Sequence, residues 1–285
     1  MTELRRRMIQ DMRLAGLAEG TQRTYVEAIK TFARHFNRSP DQLSEQDIRN
    51  YFHYLSQTRR LAKSTLRVYL FAIKFFFRHT LQRPWPVLEL LRVKREQKLP
   101  ELLSHDQVRQ LLATIRRPGA RAAAVLMYSC GLRVSEAVHL RIRDIDRHRM
   151  VVAVRSGKGG KDRYVPLPLR VLHLLRECWR RQGRTSRLAD GWLWPDPSGA
   201  KPLRPRAVRE CIQAAARQCG ITKTIGCHTL RHCYATHLLE KGLDLRSIQA
   251  LLGHRSIRTT VRYLHMTTSA MKNVHRSVND LMGDL

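Results

Sequence analysis

Over roughly the first 80 residues, apolar side chains recur every three or four positions, the spacing of one buried helical face. Tyr25, Ile29, Phe32 and Phe36 form one stripe, with Thr21 placed to cap it. Ile48, Phe52 and Leu55 form a second behind Ser44 and Asp47, a pair suited to capping. Leu66, Tyr69, Leu70, Ile73, Phe76 and Phe77 form a third, opened by Ser64 or Thr65, and a weaker pattern covers about residues 3–15. Four short amphipathic helices predict a small bundle. Its aromatic residues fall at core positions, so they read as packing and not as platforms for stacked bases.

Residues 83–100 break the pattern. Arg83-Pro84-Trp85-Pro86 stops a helix, and the basic run from Arg92 to Lys98 precedes Pro100. This stretch is expected to be an interdomain linker; a solvated surface loop is the plainer alternative. Ser104 and Gln107 then form a capping box ahead of Val108, Leu111, Leu112 and Ile115, and another helix over about 119–129 ends near Gly131. Met150–Arg155 and Arg163–Leu167 are β-rich runs flanking Gly157-Lys158-Gly159-Gly160-Lys161, which predicts a hairpin. The remainder reads as helix. The fold class expected is mainly α with a small β-hairpin or sheet (α+β), divided into domains at 1–95 and 98–285.

Charge narrows the partner. Lys and Arg number 53 against 23 Asp and Glu, a formal net charge of +30 over 285 residues. Residues 1–98 hold 20 basic and 9 acidic side chains, net +11, and the rest are net +19. Both expected domains are basic, which suggests a clamp meeting a polyanion from two sides. Charge alone leaves RNA, ribosomes and acidic lipid open beside DNA. No apolar run approaches the ~20 residues of a membrane span, and the N-terminus lacks the apolar stretch of a secretory signal, so a cytoplasmic location without a membrane partner is expected.

Six cysteines occur, none in a C-x-x-C pair. Cys227, His228, His232, Cys233 and His237 cluster in sequence, but their spacings match no common metal-ligand pattern, and thiols in a reducing compartment are the plainer reading.

Chemistry is carried by five segments. In Gly131-Leu132-Arg133-Val134-Ser135-Glu136 a glycine ends one helix and an arginine opens the next. Guanidinium offers a rigid fork of donors for phosphate oxygens, and a helix N-terminus favours an anion; taken alone, a capping glycine before a surface arginine is the plainer reading. Lys158 sits in the Gly-rich turn, where it could reach a phosphate or remain solvated. The run lacks the P-loop pattern. In His228-Thr229-Leu230-Arg231-His232, His228 and Arg231 are three apart and share a helix face. Leu251-Leu252-Gly253-His254 follows, and Tyr263 lies nine residues beyond His254.

In this order the segments resemble the tyrosine recombinase, or phage-integrase, family, and the resemblance spans essentially the whole chain. It implies a helical, SAM-like core-binding domain followed by a catalytic domain. All six catalytic positions of the family have a match: Arg133, Lys158, His228, Arg231, His254 and Tyr263. Ser256–Thr260 also fits, whereas Leu264 stands where many members carry threonine. No additional arm-binding domain is expected at the N-terminus, so the chain reads as a minimal recombinase.

The roles follow from the resemblance. Tyr263 would be the nucleophile, forming a 3′-phosphotyrosyl link. Arg133 and Arg231 would hold the developing charge, and His254 would donate a hydrogen bond. His228 is implied as base and Lys158 as acid for the 5′ oxygen. No cofactor is implied, neither metal nor ATP. The partners implied are double-stranded DNA with a specific recombination site and a homotetramer on two duplexes, acting in integration, excision or transposition. Type IB topoisomerase-like relaxation and non-catalytic DNA binding are the alternatives. Met271, Val274, Val278 and Leu281 make a short amphipathic helix of the tail, which the resemblance would dock on a neighbouring protomer and which could instead pack in cis.

Overall fold

The structure, a computed structural model, describes residues 2–83, 85–94, 101–155, 162–181, 191–254, 256–261 and 263. The glycine-rich turn with Lys158, the end of the basic run before Pro100 and the tail helix expected beyond residue 268 lie outside the described residues. The chain divides into two compact units, Met1–Lys98 and Leu99–Leu285.

The first unit is helical. It contains α1 (Glu3–Leu14), α2 (Glu19–Phe36), α3 (Glu45–His53), α4 (Lys63–Phe75) and α5 (Pro86–Leu90). Both α3 and α4 run on into a wider π-helical turn, at Tyr54–Thr58 and Phe76–Thr80. Met8, Met12, Phe32, Ile48, Tyr51, Ile73, Phe76 and Phe77 close a core rich in aromatic contacts, in keeping with the packing role expected of the rings.

The Ser44–Asp47 capping box forms as the sequence predicts. Two other caps do not. Helix α2 starts at Glu19 after Ala18, so Thr21 lies within it; Glu19 in the first turn complements the helix dipole. Helix α4 starts at Lys63, because the amides of Thr65 and Leu66 already donate to the Ala62 carbonyl. The expected linker also differs. The preceding helical turn has already ended at Thr80, Pro86 opens α5, and Val87 and Leu88 are buried in the first core.

The second unit is built around α7 (Pro118–Ser129), whose Ala120, Ala122, Ala123, Ala124, Leu126 and Met127 are all buried. A helix apolar on nearly every side belongs inside a core, and its alanines let neighbours approach closely. Those neighbours include α6 (His105–Thr114), α9 (Leu169–Arg181), α10 (Pro205–Gln218) and α11 (Cys227–Glu240). The Ser104–Gln107 capping box opens α6. The predicted pair of strands is present as β2 (Val151–Val154) and β3 (Arg163–Pro166), antiparallel with Val152 opposite Val165. A two-residue strand, β1 (Ile145–Asp146), adds an edge that the hydrophobic pattern did not predict. The fold is therefore mainly helical with one small sheet. Cysteines 130, 178, 227 and 233 are buried, while Cys211 and Cys219 are half-buried. Among the described residues no helix is long and apolar enough to cross a membrane.

Candidate active site

The site grows from the turn after α7. Gly131 has φ +63°, and a Cβ there would stand 2.5 Å from the Tyr234 ring, so both conformation and space call for glycine. The tight turn sets Arg133 at the N-cap of α8 (Val134–Val138). One turn on, the buried Glu136 carboxylate folds back. It accepts from the Arg133 backbone N–H (2.8 Å) and from Arg133 Nη1 (2.6 Å).

A second guanidinium arrives from the start of β3. Arg163 donates through Nη1 (3.1 Å) and Nη2 (2.8 Å) to the two oxygens of Glu136, a bidentate pair. A third comes from α11, where Arg231 Nη1 stands 3.7 Å from Glu136 Oε2. Three positive groups thus share one carboxylate. Burial works against the charge on Glu136, but the bonds from Arg163 and Arg133 prevail and hold its pKa at about 2.

Arg231 is buried along a helix whose other inward residues are mostly apolar. It is held by donating to the carbonyls of Gly131 and Leu252. Burial, and then the charge of Arg133, lower its pKa to about 10, so it stays cationic at neutral pH. His228, one turn earlier, presents an exposed ring. Partial loss of water, then the charges of Arg231 and Arg133, lower its pKa and favour a neutral imidazole.

The last two groups come from the far end of the unit. Helix α12 (Leu245–Leu252) ends at Gly253 in the left-handed conformation, and the chain passes through His254 into α13 (Arg258–Val261) and on to Tyr263. His254 Nδ1 and Thr260 Oγ1 share a hydrogen bond of 2.9 Å, and the His254 ring is nearly parallel to Tyr263, centroids 6.4 Å apart. Tyr263 is 1% exposed, and its hydroxyl shares a 2.9 Å hydrogen bond with His232 Nδ1.

Of the six residues singled out in the sequence, Arg133, His228 and Arg231 lie close enough for their charges to interact, and Tyr263 acts electrostatically on Arg231. His254 stacks on Tyr263, while Lys158 is outside the described residues. The phenol's partner is His232, not His228, the residue implied as its base. Glu136, Arg163 and His232 were given no role by sequence reasoning. Glu136 had a signal, three residues after Arg133 as in a capping box; Arg163, paired across 27 positions, had none.

Residues 101–270 match the phage integrase family, and residues 4–87 match the phage integrase N-terminal SAM-like domain. The chain belongs to the phage integrase family. Among its relatives, the integrase/recombinase-type protein y4qK of Sinorhizobium fredii is 42% identical over 94% of this chain and 86% of its own. The tyrosine recombinase XerD of Listeria monocytogenes is 31% identical over 90% of this chain and 82% of its own. A crystal structure of XerA recombinase superposes with TM-score 0.55 at 28% identity, covering 96% of this chain and 97% of that one. The enzyme class is thus that of the tyrosine recombinases, which break and rejoin DNA strands.

Proposed function

We propose that this family member cuts and rejoins double-stranded DNA at a defined site, with Tyr263 as the nucleophile. The observation that carries the reading is that the Tyr263 phenol interacts electrostatically with Arg231, one of three guanidiniums that share the single Glu136 carboxylate. Such a surplus of fixed positive charge suits a phosphodiester whose negative charge grows in the transition state.

In this reading the phenol oxygen attacks phosphorus and the bond to the 5′ oxygen breaks. The phenolic proton passes to His228, whose lowered pKa keeps it ready to accept one. Lys158 supplies a proton to the departing 5′ oxygen. Arg133 and Arg231 hold the charge, and His254 donates to the same phosphate. The bond energy stays in the 3′-phosphotyrosyl link, so rejoining reverses the step without ATP. With Tyr263 1% exposed and bonded to His232, its hydroxyl has to leave that partner before it meets a phosphate.

The net charge of +30, spread over both units, supports a grip on duplex DNA from two sides. Exchange between two duplexes requires two cuts in each, hence four protomers acting together. Integration, excision or transposition in the cytoplasm is the setting we assign, with residues 1–95 holding DNA and residues 98–285 cutting it. The test is a nicked suicide substrate carrying the recognition site. Wild type should be trapped covalently through its 3′ phosphate, and Tyr263→Phe should bind the DNA without forming the adduct. A normal yield of adduct from Tyr263→Phe would overturn the assignment.

A further inference from the structure

A second cluster of chemically able side chains lies at the other end of α11. His237 and Glu240 are one turn apart in its last turns, and His105 is the first residue of α6. One ligand atom from each of the three lies within 4.8 Å of the others. The imidazole rings of His105 and His237 stack with centroids 3.8 Å apart.

The hydrogen bonds fix which nitrogen of His237 is available. Its Nε2 stands 3.1 Å from the Leu103 carbonyl, which can only accept, so Nε2 carries the proton and Nδ1 presents a lone pair. A backbone carbonyl on the far nitrogen is the outer support that orients a metal-binding histidine. Nδ1 is met at 2.9 Å by the Tyr128 hydroxyl, which also lies 3.1 Å from His105 Nδ1. Both rings therefore aim a nitrogen at one point, now taken by a phenol oxygen, and the Glu240 carboxylate is at hand on an exposed, rotatable side chain.

We propose that His105, His237 and Glu240 form a binding site for a zinc-class divalent cation, in which the ion displaces the Tyr128 hydroxyl from both Nδ1 atoms, the phenol keeping its proton and the Nδ1 proton that His105 now donates to it moving to Nε2 of the same ring. Two imidazoles and one carboxylate are borderline donors suited to zinc, with water completing four-coordination. Tetrahedral bonds of about 2.0–2.2 Å separate ligand atoms by about 3.3–3.6 Å, so a modest rotation of Glu240 closes the site. The C-terminal end of α11 favours a cation, while the N-terminus of α6 and the nearby Lys241 oppose one. Affinity then has to come from the three ligands themselves. The ion would pin the first turn of α6 to the end of the helix that carries His228, Arg231 and His232. It would take no part in the strand-cleaving chemistry.

The test uses the full chain, stripped with chelator and titrated with zinc chloride by calorimetry, and with cobalt(II) by visible absorption. One site should appear, and zinc should raise Tm. His105→Ala and Glu240→Ala, both at exposed positions, should each weaken it about tenfold or more while leaving circular dichroism and Tm in chelator unchanged. Tyr128→Phe should bind zinc at least as tightly as wild type, because the phenol competes for Nδ1. The cobalt spectrum should lack a thiolate charge-transfer band. No zinc binding, affinity unchanged in both alanine variants, a thiolate band, or loss of binding in Tyr128→Phe would each overturn the proposal.

Discussion

Replacing Glu136 by glutamine tests how the guanidinium cluster is held together. The carboxylate accepts four hydrogen bonds, two from Arg133 and two from Arg163, and faces Arg231 as well. An amide keeps the shape but turns one acceptor into a donor aimed at guanidinium donors. The magnitude follows from its pKa, held at about 2 against an ordinary 4.5. At about 1.4 kcal/mol per unit, that difference corresponds to about 3 kcal/mol of stability at neutral pH, in the range for breaking a buried pair. The sign is that of a depressed carboxylate: the contribution is full above the unfolded pKa and is lost as pH falls toward the folded one. Urea unfolding of wild type and Glu136→Gln, followed by a probe in the second unit, should differ by about 3 kcal/mol at pH 7. The gap should shrink by a little over 1 kcal/mol between pH 6 and pH 3.5. Equal stabilities at pH 7, or a gap that does not change with pH, would refute the reasoning.

Three further outcomes are expected. Arg133→Ala should slow DNA cleavage about 10²–10³-fold while weakening binding far less, measured by single-turnover cleavage and gel shift; equal losses would make Arg133 only a phosphate anchor. His232→Ala should make Tyr263 more reactive to nitration, read peptide by peptide in a mass spectrometer, because it removes the partner now bonded to the phenol; an unchanged rate would show that His232 does not restrain it. Lys158→Ala should be rescued by a substrate with a 5′-bridging phosphorothiolate, whose leaving group needs no proton, and a failure of rescue would move the acid elsewhere.

What the sequence disclosed and what it hid have different physical origins. Periodicity marked the helices because one face of each is buried, and Ser44 and Ser104 marked their own helix starts because capping is a local interaction. Thr21 misled for the same local reason: a good capping residue lies inside α2 when Glu19 and the turn before it set the start. Val87 and Leu88 were hidden by two prolines that read as breakers, although a proline also opens a helix. Arg133, His228, Arg231, His254 and Tyr263, singled out by the motif order, all fall in the second unit. That order said nothing of Arg163, which reaches Glu136 only because β3 brings it there, nor that His232 and not His228 would meet the phenol. His105 and His237 converge across more than a hundred positions, beyond any spacing rule.

The most direct measurement is to find where the DNA is attached. Protein trapped on a suicide substrate, digested with nuclease and protease and read by mass spectrometry, should carry a nucleotide through its 3′ phosphate on the peptide containing Tyr263, at that tyrosine. A nucleotide on another residue, or a protein that cleaves DNA without ever becoming attached to it, would contradict the account.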